Sequence, residues 1–63
     1  MTDSQRQLVR MVALGWPNKE IAQHLGLSEP AVKKRLSSLM RRYVVPNRAA
    51  LVRVAMLEGV LTD

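Results

Sequence analysis

Lys33, Lys34 and Ser37 stand at positions i, i+1 and i+4 of one stretch, with Arg35 between them and Arg41 one turn further on. If that stretch is helical, the spacing sends three short-range hydrogen-bonding groups to neighbouring points on one side. A lysine donates to guanine O6 and N7, and a serine hydroxyl donates or accepts, so the row suits the edges of nucleic-acid bases. A single lysine here would be read as a solvated surface residue. The group resists that reading, because from Pro30 to Leu57 there are seven Lys or Arg and no Asp or Glu, in a chain of 63 residues with net charge +5. Such a one-sided field favours a polyanion.

Other chemistries find little to work with. The chain has no cysteine and a single histidine, His24. Its acids Asp3, Glu20, Glu29, Glu58 and Asp63 are dispersed rather than paired. No metal site, nucleophile or cofactor cradle can be assembled from these residues, so an enzyme is not expected. His24 reads as a surface residue and Glu20 as a helix-start and ion-pair residue. The lone Trp16 reads as a plug between helices, since one aromatic makes no stacking platform for bases. No run of apolar residues is long enough to span a bilayer, and the opening residues lack the pattern of a signal peptide. A cytoplasmic location is expected.

The elements that must hold the basic row follow from punctuation. Thr2-Asp3-Ser4-Gln5 has the form of a capping box and starts a first helix, with Leu8, Val9, Met11, Val12 and Leu14 as its apolar stripe and Gly15 as its stop. Pro17 and Asn18 start a second helix, Asn18 as a candidate cap, which ends near Leu25 at Gly26. Ser28 caps a third helix over about 29–43, with Glu29 and Pro30 in its first turn. Its stripe Val32, Leu36, Leu39 and Tyr43 turns inward, and Lys33, Lys34, Ser37 and Arg41 turn outward. Pro46 and Asn47 precede a fourth helix, roughly Arg48 to Glu58, closed by Gly59. The expected fold is all-α, a compact four-helix domain over 1–63 with a central helix-turn-helix, in which the small Ala22 lets the second and third helices cross closely. On the fourth helix, Arg48, Leu51, Val52 and Ala55 share one side and Ala50, Val54 and Leu57 lie roughly opposite. One core needs one face, so the second stripe is a candidate partner surface.

In order and at matching intervals, Gly15-Trp16-Pro17-Asn18-Lys19-Glu20-Ile21-Ala22, Leu25-Gly26-Leu27-Ser28, Val32-Lys33 and Val45-Pro46-Asn47-Arg48 resemble the LuxR/FixJ/GerE-type DNA-binding domain of bacterial transcription regulators. The resemblance covers almost the whole chain, and Met1-Thr2 falls where the family usually opens with Leu-Thr. A complete domain, free-standing or cut from a longer regulator such as a response regulator, is therefore expected. The resemblance implies sequence-specific binding to double-stranded DNA, with the third helix in the major groove and the second braced across the phosphates. Bases are then assigned to Lys33, Lys34 and Ser37, and phosphates to Asn18, Lys19, Ser28, Arg35, Arg41, Arg42 and Arg48. The stripe Ala50, Val54 and Leu57 becomes the interface of a homodimer on DNA, and contact with RNA polymerase is a further expected partnership.

This chain departs from the family in four places. Pro17 replaces a capping Ser or Thr and removes a hydroxyl that usually meets phosphate. Ala31 replaces a common Thr, and Arg35 a common His. Val44 stands where a Gly normally ends the third helix, and because a β-branched residue is costly at positive φ, a reshaped helix end is expected. A different class of function competes with DNA binding: a small basic helical module docking on protein, in the manner of a sigma-factor region 4 fold on RNA polymerase. That module would show no preference among duplex sequences.

Overall fold

A computed structural model describes residues 1–59 of the chain. It contains four helices, α1 (Asp3–Ala13), α2 (Asn18–Leu25), α3 (Glu29–Arg42) and α4 (Arg48–Leu57), and no strand among the described residues. The capping signals at Thr2 and Ser28 act as read, and Asn47, read only as a break before the fourth helix, caps it as well. The Gln5 backbone N–H donates to Thr2 Oγ1 at 3.1 Å and the Thr2 N–H donates to Gln5 Oε1 at 2.8 Å, a reciprocal capping box. Ser28 Oγ accepts from the Ala31 N–H at 3.2 Å to start α3, and Asn47 Oδ1 accepts from the Ala50 N–H at 2.8 Å to start α4. The start of α2 differs. Pro17 is its N-cap and offers no side-chain hydrogen bond. Asn18 is the first helical residue rather than a cap, and its side chain is used elsewhere.

Burial follows the helical stripes. Leu8, Val9, Met11 and Val12 of α1, Ile21 and Ala22 of α2, Val32, Leu36 and Leu39 of α3, and Leu51 and Ala55 of α4 form one buried core. Within it α1 packs on α4, α2 on α3, and α3 on α4. Ala22 is almost fully buried on α2, the helix that packs on α3. Trp16 and Tyr43 are half-buried against the core, and Trp16 meets the exposed His24 edge-on with ring centroids 5.4 Å apart. Leu14 corrects the expected α1 stripe. It is the C-cap of α1 and 72% exposed, because the helix ends before the stripe returns to the core.

The end of α3 is a second correction. It is not reshaped around Val44: the valine itself takes the left-handed conformation at φ 54°. The Val44 N–H donates to the Arg41 carbonyl at 3.2 Å and the Val45 N–H to the Met40 carbonyl at 2.9 Å. The same pair of bonds closes α1, where Gly15 at φ 87° donates to Val12 and Trp16 to Met11. This two-bond closure satisfies carbonyls that the helix leaves open. Tyr43 and Val45 pack against the core on either side, which holds Val44 in place although its own side chain is 89% exposed.

Candidate nucleic-acid interface

α2, the turn through Gly26 and α3 form the helix-turn-helix, and the turn is built tightly. Gly26 lies at φ 69°, and the Leu27 N–H donates back to the Ala22 carbonyl at 2.9 Å. Leu25 and Leu27 bracket it, both half-buried against the core. Because Val32, Leu36 and Leu39 are buried, the helical period of about 3.6 residues turns Lys33, Lys34 and Arg41 away from the core. All three are exposed, and Ser37 beside them is half-buried. The cations Lys19, Lys33, Lys34, Arg35, Arg41 and Arg42 form no ion pair among the described residues. Their charges are therefore available to a partner.

Of the residues expected to meet phosphate, Arg41 shares this face with Lys33 and Lys34, and the others lie around it. Arg35 and Arg42, with Lys34, line one wall of a cleft of about 460 Å³ between α3 and the start of α1, and Thr2, Ser4 and Gln5 line the other. Ser38 of α3 belongs to the same wall. It was not singled out from sequence, although its position i+3 from Arg35 puts both on one helix edge. Lys19 and Ser28 are exposed at the starts of α2 and α3. Ser28 Oγ already accepts from Ala31, which leaves its hydroxyl proton free to donate.

Asn18 and Arg48 are brought together. Arg48 Nη1 donates to Asn18 Oδ1 at 2.9 Å, and both residues are half-buried. This bond ties the start of α4 to the start of α2, across thirty positions of sequence. The backbone N–H groups of Asn18 and Lys19, in the first turn of α2, have no acceptor among the described residues. The positive end of a helix and open N–H groups favour an anion.

On α4, Leu51 and Ala55 are fully buried, while Ala50 and Val54 are half-buried outside the core and Leu57 is 82% exposed. The second apolar stripe is thus at the surface. No three of His, Asp or Glu come together as metal ligands among the described residues, a set that leaves out Asp63. No helix among them is long and apolar enough to cross a membrane.

A helix-turn-helix packed through one face, with its second helix turning unpaired cations outward, has the architecture of a helix-turn-helix DNA-binding domain. Comparison with known proteins assigns the particular family. The model of bacterial regulatory proteins of the luxR family matches residues 1–55, so the chain belongs to that family. It is 36% identical over 62 residues to the transcriptional regulatory protein YdfI of Bacillus subtilis, covering 98% of this chain and 29% of that protein. It is 38% identical over 61 residues to the HTH-type transcriptional regulator AlkS of Alcanivorax borkumensis, 97% of this chain and 7% of the relative. With the nitrate/nitrite response regulator protein homolog of Haemophilus influenzae it shares 38% identity over 50 residues, 79% of this chain and 24% of the other. The chain thus spans less than a third of each of these relatives.

Proposed function

We propose that this domain regulates transcription by binding double-stranded DNA sequence-specifically, with α3 in the major groove and α2 across the adjoining backbone. The observation that carries the reading is the outward face of α3, where Lys33, Lys34 and Ser37 lie together on the side away from the buried Val32 and Leu36. In that pose Lys33, Lys34 and Ser37 meet base edges. Asn18, Lys19, Ser28, Arg35, Arg41 and Arg42 meet phosphates on either side, with Arg48 behind Asn18, and set register without reading sequence. The domain works in the bacterial cytoplasm, where its DNA is. No catalytic step is assigned to it.

Two copies pair on DNA through Ala50, Val54 and Leu57 of α4. Support comes from the position of these residues outside the core on a helix whose other face is fully used. A two-fold axis there puts two copies of α3 on successive half-sites of an inverted repeat. Contact with RNA polymerase belongs to the same reading, made by surfaces that DNA leaves open.

Competition binding tests the function. A duplex recovered by selection should displace the protein from a labelled copy of itself far better than random duplex does. Equal displacement by both would favour the protein-docking module instead.

A further inference from the structure

Arg48 carries a charge at the edge of the basic face, but it is already committed. Its Nη1 lies 2.9 Å from Asn18 Oδ1, in a half-buried contact between two helix starts. A guanidinium has donors and no acceptor, so the atom facing it has to be the oxygen of the Asn18 amide. Chemistry therefore fixes which way this amide is turned. Its two remaining N–H donors, on Nδ2, have no acceptor among the described residues. Nor is Nδ2 sealed from solvent, since no buried side-chain nitrogen or oxygen there lacks a partner. Beside it stand the open backbone N–H groups of Asn18 and Lys19 at the uncapped start of α2. Every free polar group of this corner contributed by those two residues and Pro17 is thus a donor.

We propose that Arg48 is a positioning residue, which holds the carbonyl of Asn18 so that the amide presents only N–H donors to a DNA phosphate, and does not grip phosphate itself. The inference rests on the reading of Asn18 as a phosphate contact. An asparagine without the clasp turns its oxygen outward as readily as its nitrogen, and an oxygen facing phosphate is repulsive. Arg48 removes that alternative. It also explains how α2 meets the backbone without the capping hydroxyl that Pro17 has displaced, because the donor that stands in for it is supplied one residue later and oriented from α4.

A double-variant cycle on the whole chain tests this, using Asn18→Ala, Arg48→Met and their combination. Methionine keeps the apolar stem of Arg48 and removes its donors. Binding to a selected duplex and to random duplex is measured at about 0.15 M salt, where charges beyond about 8 Å are screened. Asn18→Ala should weaken both duplexes alike by about tenfold, the scale of one hydrogen bond to a charged group. Arg48→Met should lose about twofold, since an amide that turns either way presents its donors half the time, and the double variant should lose no more than Asn18→Ala alone. Losses that multiply would overturn the positioning role and return Arg48 to the phosphate cations. Asn18→Ala binding as tightly as the unaltered protein would overturn the phosphate role of Asn18 and the positioning role together. Asn18→Asp gives an independent readout that does not depend on Arg48→Met folding. Its carboxylate keeps the bond to Arg48, so the thermal midpoint should hold or rise, while the second oxygen now faces phosphate and affinity should fall by more than in Asn18→Ala. Unchanged affinity in Asn18→Asp would contradict the account.

Discussion

Val44 is the residue at which local preference loses to the surrounding structure. A non-glycine residue in the left-handed region costs about 1–2 kcal/mol, and a side chain that is 89% exposed recovers nothing by burial. The conformation persists because the two closing bonds and the packing of Tyr43 and Val45 all require it. Val44→Gly should therefore stabilise the domain by about 0.5–1 kcal/mol, the relief of strain less the extra entropy of glycine in the unfolded chain. Thermal unfolding should show a midpoint a few degrees higher; a lower one would mean that the valine side chain makes a contact that offsets its strain. On the recognition face, Lys33→Ala and Lys34→Ala should each cost about 1–3 kcal/mol on the preferred duplex and much less on random duplex. Arg42→Ala should weaken both alike, as a phosphate contact does. Equal losses on both duplexes for the two lysines would move them to the backbone set.

Among the elements, the starts of α1 and α3 were the most legible part of the chain. Thr2, Ser28 and Asn47 act on N–H groups three residues away, so their effect is written locally. Stripes were legible wherever a second helix lies opposite them, which is why Val32, Leu36 and Leu39 are buried and Leu14, at the last turn of α1 with nothing over it, is not. The bond between Asn18 and Arg48 was not legible, because it depends on how α2 and α4 approach once both are packed. Type and position assigned both residues to the phosphate set as an expectation; that one holds the other was not readable. On α4, the division between Leu51 and Ala55 inside and Ala50, Val54 and Leu57 outside leads to a prediction for the element as a whole. Val54→Asp should abolish cooperative binding to a duplex with two half-sites and leave helicity and single-half-site affinity nearly unchanged. Circular dichroism and titrations on one-site and two-site duplexes check this. Unaltered cooperativity would exclude α4 as the dimer surface, and unfolding would make Val54 a core residue.

At the scale of the molecule, the domain measures 28 × 25 × 19 Å, small enough for two copies to lie side by side on half-sites one helical turn, about 34 Å, apart. The surface left on α4 is too small for a strong dimer in solution, so the free domain should sediment as a monomer at low micromolar concentration and pair only on DNA. Those properties, and the roles of individual residues, all depend on one claim: α3 reads sequence through Lys33, Lys34 and Ser37. The most direct test is selection of bound duplexes from a random pool, run in parallel with the unaltered chain and with the Lys33→Ala, Lys34→Ala double variant. The unaltered chain should enrich an inverted repeat with a defined half-site, and the variant should bind the pool weakly while losing the bases that the two lysines read. Enrichment of no sequence by the unaltered chain, or of the same half-site by both proteins, would contradict it.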